Sequence, residues 1–201
     1  MKLAIMTKST FFVEEDKILA ALFDEGMDNL HLYKPGSSPM YSERLLSLLP
    51  KDCLGKITVH EHFYLKNEYA LGGIHVDNPE EPIPSGYKKV GVTCRDLSQL
   101  KQLKKMANYV FLRNIFDGLE CKDEKSSFSV NQLEQAADKG LIDKHVFALG
   151  GMTSDNISLA KELGFGGVVI CGDIWNRFDI HKQVDYKNVI THFERIRKAI
   201  G

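Results

Sequence analysis

The sequence predicts an α/β protein folded as a single (β/α)8 barrel domain over residues 1–201, and three observations lead there. Short Val- and Ile-rich runs recur at a steady interval, as expected of strands buried on both faces of a parallel sheet. Most runs are followed by a loop and then by a stretch of helical periodicity, the pattern of repeated βα units. Eight such runs fit within 201 residues, close to the lower length limit for a closed barrel, whereas an open doubly wound sheet more often has about five or six strands.

The strands are expected at Lys2–Met6, Asn29–Tyr33, Lys56–His60, Gly73–Val76, Lys88–Thr93, Tyr109–Arg113, His145–Leu149 and Gly167–Cys171. Over Glu14–Glu25 the residues Ile18, Leu19, Leu22 and Phe23 share one helical face, and Gly26 supplies a stop. Leu97, Leu100, Leu103 and Met106 do the same over Leu97–Met106, and the Lys101–Lys105 run reads as a solvated helix face. Residues 154–163 begin at a Ser/Asp cap and stop at Gly164, and a last helix at about 185–199 carries Val189, Ile190, Phe193 and Ile196. Pro79–Pro84 and Asp117–Ser129 read as loops after the fourth and sixth strands, which puts them on the C-terminal face where barrels build their chemistry.

Composition excludes several classes. The 26 Lys and Arg balance 27 Asp and Glu, and no basic block exceeds a pair, so neither nucleic acid nor a membrane surface is an expected partner. No apolar run approaches the roughly 20 residues that span a bilayer. The N-terminal MKLAIMTKST reads as a buried strand and not as a signal peptide, whose apolar region needs about 7–15 residues. Cysteines 53, 94, 121 and 171 form no C-x-x-C pair, which suggests reduced thiols and a cytoplasmic location.

In a barrel the strand ends converge on one mouth, and here they are polar: His31, Tyr33 and Lys34; His60, Glu61 and His62; His75 and Asp77; Thr93; Arg113 and Asn114. Gly150-Gly151 after the seventh strand and Cys171-Gly172 after the eighth are candidates for phosphate binding through backbone amides, because glycine allows close approach and helix starts attract anions. Trp175, the only Trp, is expected to close the outside of the barrel. His60, His62 and His75 admit two readings, a zinc site or three pocket-lining imidazoles. Tyr33 and Phe116 either stack a planar heterocycle or simply pack, and Cys171 either contributes its backbone or acts as a nucleophile.

Six stretches carry a family resemblance: Leu30–Lys34, Gly73–Val76, Val90–Thr93, Tyr109–Phe116, Ala148–Met152 and Gly164–Ile170. Taken in order, they make the chain resemble the thiamine-phosphate synthase family, including its TenI-like thiazole tautomerase branch. The resemblance implies a barrel that joins hydroxymethylpyrimidine diphosphate to a thiazole phosphate, with Mg²⁺ and basic groups helping diphosphate to leave. It implies that Gly150, Gly151, Cys171 and Gly172 hold phosphate, and that Lys34, His60, Thr93 and Lys122 form the catalytic set. His31, Tyr33, His75 and Asn114 would bind substrate, and Glu61 with Glu80, or Asp77 as a nearby substitute, would hold the metal.

Several positions depart from the family pattern. Thr93 replaces a usual Ser, His31 a common Gln and Tyr33 an Arg, while Lys34 falls one residue early. His60-Glu61-His62 stands for Asn-Asp-Arg, and the loop after the sixth strand becomes Asp117–Lys122. Thiazole tautomerisation and non-catalytic binding of a thiamine intermediate are therefore the alternatives to synthesis. For tautomerisation, a His expected near Asn114 is missing, and His60, His62 or His75 is the candidate substitute as proton-transfer group. The expected partners are small phosphorylated heterocycles and, as is common among small barrels, a second copy in a homodimer.

Overall fold

The computed structural model describes residues 1–119, 125–178 and 187–201. Eight parallel strands close into a barrel in chain order: β1 (Lys2–Met6), β2 (Leu30–Leu32), β3 (Ile57–Val59), β4 (Gly73–Val76), β5 (Val90–Cys94), β6 (Tyr109–Arg113), β7 (Val146–Leu149) and β8 (Gly167–Ile170). The closing seam sets Lys2 beside Gly167 and Ile5 beside Ile170. Each expected strand is present, with ends displaced by no more than two residues.

The helices are α1 (Glu15–Asp24), α2 (Pro39–Leu48), α3 (Leu65–Glu68), α4 (Leu100–Met106), α5 (Val130–Asp138), α6 (Ile157–Glu162), α7 (Gly172–Trp175) and α8 (Lys187–Ile200). One connection falls short of a full βα unit: residues 77–89 join β4 to β5 without a helix. Pro79, Pro82 and Pro84 account for this, since each lacks the amide donor that a helix interior needs. In contrast, α5 starts sharply because Ser129 and Gln132 form a reciprocal capping box. Among the described residues no helix is long and apolar enough to cross a membrane.

Two cores result from the period-2 alternation of the strands. Outward residues such as Ile5, Leu30, Leu32, Ile74 and Val92 pack under the helices with Ile18, Leu22, Leu103 and Phe193. Inward residues Ala4, Met6, Phe111, Phe147, Leu149 and Val169 form a second cluster inside the barrel. Trp175 is fully buried, meets Phe12 edge-on and donates its indole N–H to the Met6 carbonyl at 2.6 Å, so it covers the C-terminal end of β1. Lys104 is not simply solvated: its ammonium donates to the Gly140 and Leu141 carbonyls and pairs with Asp143 at 2.7 Å, tying α4 to the turn before β7.

Candidate active site

The barrel interior is divided by chemistry. β1 and β6 to β8 supply the apolar cluster, whereas β2 to β5 and the residues just beyond them place His31, Thr58, His60, His75 and Thr93 inside, all buried. Gly91 on β5 makes room for the rings. A Cβ there would lie 2.4 Å from His75 Nδ1 and 2.2 Å from the Tyr109 ring.

Two hydrogen-bond chains cross this polar half and end on one carboxylate, Asp77, immediately after β4. In the first, His60 Nδ1 lies 2.9 and 3.0 Å from the two Asp77 oxygens, so Nδ1 carries the proton and donates. His60 Nε2 is then the acceptor for His31 Nδ1–H at 2.8 Å, which leaves His31 Nε2 as a buried lone pair without a partner. In the second, Thr93 Oγ1 donates to Asp77 Oδ1 at 3.3 Å and accepts from His75 Nε2–H at 2.9 Å. The Tyr109 hydroxyl stands 3.5 Å from His75 Nδ1.

Complete burial pushes His31 and His75 well below the ordinary imidazole range, and charge on His60 acts in the same direction. Burial likewise raises the Tyr109 phenol. The Asp77 side chain keeps 31% of its exposure while that of His60 keeps none, so the carboxylate is the end of the network that meets the mouth.

Across the mouth lies a pocket of about 100 Å³ lined by Tyr33, Arg113, Gly118, Gly150, Gly151, Cys171 and Gly172. Gly151 has φ +61°, and a Cβ on it would lie 2.4 Å from the Asp117 carbonyl and 2.7 Å from Phe116 Cβ. The loops after β6 and β7 can therefore meet only because no side chain intervenes. Asn114, at φ 62°, lies against Gly150 through its backbone. A larger cavity of about 670 Å³ opens at the other end of the barrel, beside Lys2, Lys89 and Lys144, and reaches the polar half of the interior only at Thr58 and Tyr109.

Residues 55–174 match the family model described as thiamine monophosphate synthase. The chain belongs to this family. The crystal structure of thiamine phosphate pyrophosphorylase from Bacteroides thetaiotaomicron is 43% identical, with all of this chain and 98% of that one superposed at a TM-score of 0.90. A thiamine-phosphate synthase of Fusobacterium nucleatum is 25% identical over 128 residues, which is 60% of this chain and 60% of that relative's length. Thiamine phosphate pyrophosphorylase from Pyrococcus furiosus, at 15% identity and a TM-score of 0.74 over all of this chain and 97% of that one, shares the fold.

Within the family framework, the residues expected to form the site fall into separate groups. Gly150, Gly151, Cys171 and Gly172 come together with Tyr33 in the small pocket. His31, His60, His75, Thr93 and Asp77 come together in the buried network. Lys34 joins neither group. It is 2% exposed, pairs with Glu15 at 2.6 Å, donates to the Thr10 carbonyl at 2.9 Å and sits 4.5 Å from the Phe11 ring centroid. Lys122 lies outside the described residues.

The three metal carboxylates are not gathered either. Glu61 Oε1 accepts from Gly36 N–H at 3.0 Å and its Oε2 is buried without a partner, Glu80 is exposed on the 77–89 loop, and Asp77 is held by His60 and Thr93. The zinc reading also changes. His62 is turned aside, its Nε2 donating to the Ser37 carbonyl at 2.9 Å, and ring nitrogens of His31, His60 and His75 are the ones within 4.8 Å of one another. The His60 and His75 rings lie 4.4 Å apart at 23°, so their in-plane lone pairs run nearly side by side and do not converge on a single ion.

Arg113, placed at the mouth by the sequence but given no role there, lines the glycine pocket. Strand alternation supplies its direction, because Tyr109, Phe111 and Arg113 succeed one another on the inward face of β6.

Proposed function

We propose that the protein joins hydroxymethylpyrimidine diphosphate to a thiazole phosphate with release of diphosphate. The observation that carries this reading is the pocket built from the β6, β7 and β8 ends, where Gly150, Gly151 and Gly172 expose backbone around a cavity that Arg113 supplies with positive charge. The thiazole phosphate would be held there, with Tyr33 beside the heterocycle.

Mg²⁺, when bound, would neutralise the oxygens of the departing diphosphate. Glu61 fits as its protein ligand, since its Oε2 is buried without a hydrogen-bond partner and Mg²⁺ is commonly held by about one or two carboxylates plus substrate phosphates. Arg113 holds charge opposite the phosphate, and the Asp77 network keeps a rigid polar wall on the other side of the mouth.

A second reading is favoured by one specific feature. Tyr33 stands where the family has Arg and Lys34 is buried in an ion pair, which removes two cations from the diphosphate side while the Asp77 network remains. That combination suits proton transfer on the thiazole better than diphosphate departure.

Purified protein incubated with hydroxymethylpyrimidine diphosphate, each thiazole phosphate tautomer and Mg²⁺ separates the readings. Thiamine phosphate is the expected product. Interconversion of the tautomers alone would establish the second reading, and tight binding with neither product would make the protein a binder of the intermediate. Arg113→Gln is expected to weaken thiazole phosphate binding by about 10- to 100-fold in calorimetry, the worth of one charge-assisted contact. Unchanged affinity would remove Arg113 from the phosphate pocket.

A further inference from the structure

The sequence expects a histidine to move protons at this mouth, and the candidates are not placed for it. His60 and His75 are buried, and both nitrogens of each face protein groups. His62 has its Nε2 on the Ser37 carbonyl. The group on which the network converges is a carboxylate that remains part-exposed.

We propose that Asp77 is the catalytic base of a proton transfer on the thiazole phosphate, with His60 and Thr93 as its positioning residues; this rests on the second reading above. Both donors approach the carboxylate from the barrel interior, so they fix its rotation and leave its outward lone pairs toward the mouth. Tyr33 makes the two halves of the site contiguous, since it lines the phosphate pocket and its ring meets His60 edge-on at 5.4 Å. The His31 and His75 rings act from behind. Held neutral by burial, each has a single N–H, and the hydrogen bonds aim it along its chain toward Asp77.

The chemistry balances without a co-reactant. An Asp77 oxygen takes the proton from the saturated ring carbon of the non-aromatic tautomer. The C–H electron pair enters the ring and makes it aromatic, and the displaced π pair moves to the exocyclic carbon. That carbon takes the proton back from Asp77. One C–H bond breaks and one forms, and the carboxylate is regenerated.

The test is tautomerisation in D₂O, followed by NMR for rate and for deuterium at the newly protonated carbon, with calorimetry reporting ligand binding. Wild-type protein is expected to convert the tautomer and to retain protium at that carbon in part of the product, because the same carboxyl removes and returns the proton, with deuterium in the fraction where Asp77 exchanges with solvent first. Asp77→Asn is expected to lose about 10²- to 10⁴-fold in kcat while binding the thiazole phosphate normally. His60→Gln and Thr93→Val are expected to lose roughly 10- to 100-fold in kcat with KM unchanged, and Thr93→Ser to restore the rate.

Wild-type rates in Asp77→Asn would overturn the proposal alone. If wild-type protein binds the tautomer without converting it, the second reading falls and takes the proposal with it. Should Asp77→Asn fail to fold, Thr93→Val decides the matter, because an unchanged kcat there is incompatible with a carboxylate positioned through that hydroxyl.

Discussion

Replacing Lys34 by Met is expected to destabilise the protein by about 3–5 kcal/mol, the usual effect of removing one partner from a buried ion pair. Lys34 and Glu15 are each 2% exposed in their side chains and meet at 2.6 Å. Burial pushes the Lys34 ammonium down and the Glu15 carboxyl up, and their mutual attraction opposes both shifts. With Lys34 gone, Glu15 would keep a buried oxygen that already lacks a partner, Oε2, and lose the only side chain among the described residues that pairs with the other.

In a chain of this size the loss corresponds to a fall in Tm of roughly 6–20 °C. The deficit should shrink on acidification. An unpaired Glu15 has its folded-state pKa raised above the unfolded value of 4.5, so its penalty is present near neutrality and disappears as the carboxyl is protonated. The double variant Lys34→Met/Glu15→Leu is expected to recover most of the loss, since a buried pair exchanged for apolar groups is often neutral. Urea unfolding of the three proteins measures this, and a single-variant loss under about 1 kcal/mol would mean that the pair behaves like an exposed one. The pair also has a positional effect: through Thr10 and Glu15 it fastens the β1–α1 segment, which includes the pocket residue Ser9, to the end of β2.

Lys34 shows where the sequence was legible and where it was not. Strand positions were readable because parallel strands buried on both sides appear as apolar runs, and each run was found within two residues. Alternation along β2 also held the answer for Lys34. His31 and Tyr33 face inward, Leu32 belongs to the outer core, and so Lys34 leaves the axis on the outer side. The same rule groups His75 with Asp77 and Thr58 with His60.

Register between neighbouring strands was not readable from one chain. It is register and ring orientation that bring His31 onto His60 and Thr93 between His75 and Asp77. A resemblance transfers residue types to positions, whereas the partners of a buried imidazole depend on neighbours remote in sequence. Asp77 illustrates this, since its charge suits a metal ligand but His60 and Thr93 hold it from inside the barrel.

The buried imidazoles make stability depend on pH with a definite sign. In the unfolded chain His31 and His75 take up protons as the pH falls through 6.5, whereas burial holds both well below that value in the folded state. The unfolded state therefore binds more protons in this window, and stability must fall as the pH is lowered. Each group contributes a slope of up to about 1.4 kcal/mol per pH unit below the unfolded pKa for as long as it stays neutral in the folded barrel.

Protonation would also damage the network. A proton arriving at His31 Nε2 finds no acceptor there. One arriving at His75 Nδ1 turns it into a second donor facing the Tyr109 hydroxyl, which would have to reverse its own hydrogen bond. Urea unfolding at several pH values between 7.5 and 5 measures the slope, and His75→Gln, which retains a donor able to reach Thr93, should roughly halve it. A stability independent of pH over this range would mean that these imidazoles titrate as freely in the folded barrel as in the unfolded chain, which is incompatible with their burial in a hydrogen-bonded network.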